Sequence, residues 1–406
     1  MSGFSPFSNT EPVTPALDTL LEPRHLASAL PNGVLAPHEM LDYLRDKRLG
    51  LVTNHTGRTL KGASTRKALK SLKFDIAALF SPEHGPSGTQ EGDLPSLCDE
   101  DGTPIHSLYG ETRRPTPEML HGMDALVFDI QDVGARFYTY ASTLCYCLEE
   151  CATHNIALVV LDRPNPLGGE EIGGPQLDAS TRSFVGHIET PILHGMTLGE
   201  IALLHRARAN LNVDLYIAPI FGWKRAMRWN DTPLNWIAPS PNLPDFRSAD
   251  WYPATCLLEF SGVSVGRGTA APFQFVGAPW LQPARVLAQA ESWLGELRGA
   301  VKLEATTFTP TRATHENVLC NGLFLEETSA RTRLPKTHLG LALLTAIHDT
   351  HKDELDEAKM CAALPLIGAP RVLALLLANE VEAALAVCEE DEANFHIARA
   401  PFLIYE

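Results

Sequence analysis

Apolar and polar positions divide the chain into three unlike stretches. Residues 1 to about 45 are rich in Pro and polar residues, with one short helix expected near Pro37–Lys47. Five short, nearly continuous apolar runs follow: Leu49–Thr53, Ile76–Phe80, Ala125–Ile130, Ile156–Leu161 and Val213–Ile220. Between them the spacing turns helical. Ser64–Leu72 places Ala68, Leu69 and Leu72 on one side, and Tyr140–Thr153 does so with Ala141, Leu144, Cys145, Leu148 and Ala152. Thr197–Ala209 is a further helix. Strands that are apolar throughout, alternating with helices, indicate a mostly parallel sheet covered on both faces, an α/β domain over residues 46–252. The remainder, 253–406, reads as a smaller α+β domain. Its expected helices are Ala284–Arg298, His338–Thr350 and Pro370–Glu389, and its expected strands Asn317–Leu325 and Phe402–Tyr405. Residues 1–45 form an N-terminal extension to this pair.

Composition narrows the function classes. With 45% apolar and 20% charged residues, the 406-residue chain can bury a sizeable core. Thirty-three basic against forty-nine acidic residues leave a net charge of −16. That balance opposes binding to nucleic acid or to an anionic membrane, both of which need a basic field. No apolar run reaches the ~18 residues of a membrane span. Val372–Ala378, among the longest, stops at Asn379. The opening Met1–Pro6 has neither the basic nor the apolar region of a signal peptide, so a cytoplasmic location is expected. Eight cysteines without a CxxC pair are expected to be reduced thiols, and Cys145, Cys147 and Cys151 do not share one helix face.

Candidate chemistry follows the strand ends. Four successive runs end in reactive side chains: Asn54 with His55, Glu83 with His84, Asp129 with Asp132, and Asp162 with Arg163. In an open α/β sheet, ligands bind beyond the carboxyl ends of the strands, so parallel neighbours would bring these groups to one rim. Paired carboxylates suit glycoside hydrolysis, in which one acid protonates the leaving oxygen and a second group activates water or stabilises the cation. Glu83, in a tight loop directly after an apolar run, is the candidate acid, with Asp129 or Asp132 as the second group. The segment Asp129–Tyr140 also holds Arg136, suited to a bidentate carboxylate clamp, and Tyr138 and Tyr140, suited to stacking on a sugar.

Three other patterns are weaker. Gly262-Val-Ser-Val-Gly266 satisfies a nucleophile elbow at Ser264, but the residues beyond it do not lead into the helix an elbow needs. Gly266–Ala271 matches a GxGxxA fingerprint without the phosphate-binding helix, so no nicotinamide cofactor is expected. The same loop could still aim Arg267 at an anionic group. His55, His84 and His194 lack metal-ligand spacings, and no metal is expected.

These residues resemble the exo-β-N-acetylmuramidase (NamZ-type) family of peptidoglycan hexosaminidases. The resemblance is carried by Gly50–Asn54, Leu79–Gly85, Ser107–Gly110, Arg114–Met119, Val127–Tyr140, Leu161–Pro166, Arg182–Val185 and His194–Thr197. It continues through Trp223–Arg225, Pro239–Asn242, Thr255–Glu259 and Ser264–Thr269. It implies a Rossmann-like domain and a smaller domain with the active site in the cleft between them. The implied reaction releases terminal N-acetylmuramic acid from the non-reducing end of peptidoglycan fragments, with no cofactor. Glu83 would be the general acid/base and Asp129 or Asp132 the second carboxylate. Arg136, Arg163 and Arg267 are candidates for the lactyl carboxylate of the sugar. Asn54, His84, Tyr138, Tyr140, Asp162 and Asn242 would complete the binding site. The rival readings are a serine esterase or amidase using Ser264, a non-catalytic muropeptide-binding protein and, third, a metal hydrolase.

Overall fold

The computed structural model describes residues 12–23, 30, 33–90, 92, 95–99, 101–294, 300–328 and 335–406. Met1–Pro6 and the 295–298 end of the helix expected from Ala284 lie outside them. Among the described residues the larger sheet has seven strands: β1 (Arg48–Thr53), β2 (Asp75–Ser81), β3 (Leu97–Cys98), β4 (Pro104–Ser107), β5 (Ala125–Asp129), β6 (Ala157–Leu161) and β7 (Leu215–Ala218). Their order is β3-β4-β2-β1-β5-β6-β7. Every pair is parallel except β3–β4. The five expected runs are β1, β2, β5, β6 and β7. The β3–β4 hairpin carries too few buried residues to leave a period in the sequence.

Alternation along each strand explains why the runs are apolar throughout. Leu49, Leu51, Ala125, Val127, Ala157, Val159 and Leu161 point to one face. Val52, Leu126, Phe128, Leu158 and Val160 point to the other. The first face is covered by Ala16–Leu21, Pro37–Leu44 and Thr65–Ser71. Two of these helices come from the N-terminal stretch, which thus supplies part of the layer that covers this face. The second face carries the helices Tyr140–His154 and Leu198–Arg208. Gly50 sits where a Cβ would lie only 2.9 Å from Phe80, so the central strand admits no side chain there.

The second sheet is antiparallel, with β8 (Phe275–Ala278), β9 (Val301–Phe308) and β10 (Cys320–Glu327) in the order β8-β10-β9. Helix Pro283–Leu294 packs on it, and Lys336–Thr350 packs on that helix in turn. Strands β8 and β9 have no clear sequence signal. β9 is an edge strand whose middle residues are mostly solvated. The expected strand at Asn317 begins three residues later, because Asn317 turns the chain with φ of 59°. The single helix expected over Pro370–Glu389 is two, Pro370–Leu377 and Val381–Arg399. They are divided at Asn379, whose φ of 62° closes the first, a conformation Asn tolerates better than most residues.

The expected terminal strand Phe402–Tyr405 does not form. Residues 400–402 are a 3-10 turn, and the Ile404 N–H donates to Glu200 Oε1 at 2.8 Å instead of to a neighbouring strand. Tyr405 then reaches into the larger sheet's edge, where its hydroxyl donates to Asp162 at 2.7 Å. All eight cysteines are free thiols. No helix of the described residues is long and apolar enough to cross a membrane.

Candidate active site

Strands β2, β1, β5 and β6 are adjacent and parallel, so their carboxyl ends do share one edge. The chain runs from β1 to β2 on one side and later returns to β5 on the other. That reversal opens a crevice at the strand ends. The side chains there divide into a buried framework and a cavity wall.

The framework holds Asn54, Asp129, Arg136, Tyr140, Asp162 and Arg163. Asp129 is fully buried, with Oδ1 2.5 Å from Arg163 Nε and Oδ2 accepting from Arg163 Nη2 at 3.0 Å and from Thr65 Oγ1 at 2.5 Å. Asp162 accepts from the Gly199 N–H at 2.9 Å and from the hydroxyls of Thr197 and Tyr405, both at 2.7 Å. It thereby ties the start of helix Leu198–Arg208 to the C-terminal tail. Burial raises its pKa to about 6, although these hydrogen bonds favour the ionised form. Arg136 donates to four carbonyls, those of Pro175, Thr190, Leu366 and Ile367, at 2.7–2.9 Å. Asn54 donates to the Tyr140 hydroxyl at 2.8 Å, and Tyr140 in turn donates to the Pro239 carbonyl at 3.0 Å. None of these six lines the cavity described next.

That cavity, of about 420 Å³, is walled by residues of both halves of the chain. Glu83, His84, Tyr138, Asn242 and Arg267 meet there, five of the residues singled out from sequence. Glu83 follows β2 in the loop Pro82–Gly85. Its Oε2 accepts from Thr139 Oγ1 at 2.5 Å. Its Oε1 makes no hydrogen bond to a described residue, and so is open to a ligand. Arg267 is held by Glu259, Nη2 lying 2.6 Å from Oε2 with Nε on the other oxygen. His84, Phe273 and Ala313 on or beside this wall have φ of 70°, 66° and 62°. Such left-handed backbone costs about 1–3 kcal/mol per non-glycine residue and gathers at functional sites. For the buried ring of Phe273 it is a marked outlier.

Asp132 stands apart from both groups. It is buried and does not line the cavity, with Oδ2 accepting from the Gly134 N–H at 2.8 Å and Oδ1 without a hydrogen-bond partner among the described residues. Burial pushes its pKa up to about 7, against the opposing pull of the Gly134 and Val133 N–H groups. The protonated form therefore contributes stability that is fully present below about pH 4, the unfolded range of Asp. It is lost as pH rises through about 7. Asp132→Asn removes this titration. Its urea midpoint is expected to improve relative to the native protein between pH 4 and pH 8, and a pH-independent difference would refute the assignment.

The elbow at Ser264 is not built. Ser264 is buried in an antiparallel bridge to Gly277, its hydroxyl accepts from the Gly266 N–H at 3.3 Å, and no helix follows. The Gly266–Ala271 segment is likewise a turn. His55 contacts the Ala238 carbonyl at 2.7 Å, and His194 is buried, its pKa held down to about 3 by burial and by Arg399, Arg136 and Arg225. Among the described residues, three ligand-type atoms converge only at Glu149, His187 and His205. There both imidazoles lie 2.6 and 2.8 Å from one carboxylate oxygen, hydrogen-bond separations, and Arg114 holds the other oxygen at 2.6 Å.

Sequence reasoning missed Arg113, Thr139 and Glu259, all on the cavity wall. Arg113 lies in the loop after β4, a strand without a sequence signal, Thr139 adjoins residues that were singled out, and Glu259 appeared only within a family-like block. A pair of arginines beside Pro115 is too common a surface feature to have marked Arg113.

Comparison with known proteins agrees with this architecture. Residues 49–247 match the N-terminal domain and residues 251–405 the C-terminal domain of the family described as exo-beta-N-acetylmuramidase NamZ. The peptidoglycan beta-N-acetylmuramidase NamZ of Bacillus subtilis (strain 168) is 42% identical over 318 residues, which is 77% of this chain and 76% of that protein. Crystal structures of two DUF1343 family proteins from Bacteroides fragilis NCTC 9343 superpose with TM-scores of 0.84 and 0.74, each at 28% identity. These cover 97% and 98% of this chain and 99% of each of theirs. Two matched domains in order, a relative of this similarity and a shared fold along nearly the whole length make the chain a member of the exo-β-N-acetylmuramidase NamZ family.

Proposed function

We infer that this chain is a glycoside hydrolase that removes terminal N-acetylmuramic acid from the non-reducing end of peptidoglycan fragments such as MurNAc-GlcNAc. The observation that carries the reading is Glu83. In a chain with this family membership, it is the carboxylate on the cavity wall that keeps an oxygen open to a ligand. Residues 46–252 supply this acid, and residues 253–406 close the cleft over it. Asn242, His84 and Tyr138 face the sugar. Asp129, Arg136, Asp162 and Arg163 act as framework, because their charges are already answered within the protein.

Glu83 in its acid form donates a proton to the glycosidic oxygen as the C1–O bond breaks. The other carboxylate of the wall, Glu259, is committed to Arg267, Asp129 is committed to Arg163, and Asp132 is buried and does not line the cavity. The nucleophile is therefore the substrate's own 2-acetamido oxygen, which bonds to C1; this is a recognised alternative to a second carboxylate. Glu83, now ionised, takes a proton from water as the water attacks C1, and the acetamido group is restored. Two inversions at C1 retain configuration.

Incubation with MurNAc-GlcNAc is expected to release both monosaccharides by mass spectrometry, with β-MurNAc the first anomer seen by NMR. Initial α-anomer would refute the acetamido route. Absence of turnover with tight binding would favour the binding-protein reading. A net charge of −16 favours small soluble fragments over the anionic wall polymer as substrate.

A further inference from the structure

Within the muramidase reading, on which this inference rests, we propose that Arg113 is the side chain that recognises the lactyl carboxylate of the substrate. The three arginines expected from sequence are otherwise engaged: Arg163 by Asp129, Arg267 by Glu259, and Arg136 by four carbonyls. Arg113 lines the same cavity as Glu83 and forms no ion pair with a described residue, in a protein with sixteen more acidic than basic residues. An unpaired guanidinium facing a cavity is suited to a carboxylate, which it can bind through two parallel hydrogen bonds.

Its mounting supports the same role. The guanidinium carbon of Arg113 lies 4.5 Å from the ring centre of Phe184 and 5.5 Å from that of Tyr109. Seating on aromatic faces restricts the side chain before a ligand arrives, so less freedom is lost on binding. Phe184 is in turn stacked on Tyr146 at 5.9 Å, with the planes inclined by 26°. The opposite neighbour in sequence completes the support: Arg114 lies 3.9 Å from the Tyr146 ring centre and 2.6 Å from Glu149 Oε2. Glu149 Oε1 then accepts from His187 and His205 at 2.6 and 2.8 Å, joining the 182–189 loop to two helices. Of two consecutive arginines, one is built into the support behind the wall and the other is left for the ligand.

A sugar without the lactyl ether gives Arg113 nothing to bind, so this residue sets the preference for muramic over glucosaminic substrates. The test compares native protein, Arg113→Ala and Arg113→Lys on aryl glycosides of N-acetylmuramic acid, its lactyl methyl ester and N-acetylglucosamine. Arg113→Ala is expected to lower kcat/KM for the acid by roughly 10- to 100-fold, the value of a charged hydrogen-bonded pair, mainly through KM. Arg113→Lys is expected to restore part of the loss. The native protein should treat the methyl ester much as Arg113→Ala treats the acid, and the alanine variant should not distinguish the two. An equal fall on the muramic and glucosaminic substrates, or no fall, would overturn the assignment. Calorimetric binding of free N-acetylmuramic acid and N-acetylglucosamine separates this from the activity itself. A native protein without turnover that still prefers the former through Arg113 would support the recognition role while refuting the hydrolase reading. Binding without preference would overturn the recognition role.

Discussion

Glu83→Gln is expected to lower kcat on MurNAc-GlcNAc by about 10³-fold, within the roughly 10²- to 10⁴-fold range of general acid–base catalysis. The substitution keeps the shape of the side chain, and its amide oxygen can still accept from Thr139, so the fold has little reason to change. What is lost is the proton for the departing sugar oxygen and, later, the base for water. The two losses separate by leaving group. A sugar alkoxide is a poor leaving group and needs the acid. A nitrophenolate leaves almost unaided, so an aryl glycoside should show a smaller fall in the first step and retain the loss in the second. Unchanged thermal unfolding beside this kinetic pattern would place the effect on chemistry. Near-native activity of Glu83→Gln on a chromogenic muramic acid glycoside would refute the assignment.

Asp129→Ala should act on stability, by about 3–5 kcal/mol, because removing one partner of a buried ion pair leaves the other charged and unanswered. The stranded group is Arg163, only 8% exposed, which would keep just its hydrogen bond to the Arg58 carbonyl at 2.9 Å. Thr65 also loses its acceptor, at the start of helix Thr65–Ser71. Urea denaturation measures the loss. Adding Arg163→Met to Asp129→Ala should recover part of it, since an apolar replacement of both partners can be tolerated where a half-pair is not. A variant as stable as the native protein but as inactive as Glu83→Gln would instead make Asp129 the second catalytic carboxylate.

These two acids occupy equivalent places in the sequence, one at the end of β2 and one at the end of β5, yet the structure treats them differently. Strand-end position was legible because an apolar run followed by polar residues is a local signal, and parallel neighbours share an edge. Whether a given carboxylate faces the crevice or the interior was not legible. That depends on Arg163, which is 34 residues beyond Asp129 in the chain, and on Thr139, which is 56 residues beyond Glu83. Arg113 shows the converse case. No local pattern distinguishes it from Arg114, and only the placement of Glu149 and Phe184 makes one structural and leaves the other open.

The sequence alone determined the parallel sheet, its five main strands and the edge on which the site lies, because strand burial and helix periodicity are written in neighbouring residues. It also carried the family resemblance, whose motif blocks run from 50 to about 270. Tertiary structure decided which charges are neutralised within the protein and which remain open. It also replaced a terminal strand with a tail anchored by Glu200 and Asp162. The physical reason is that a side chain's charge is answered by whatever lies within about 3 Å of it, and in this fold those partners come from distant parts of the chain.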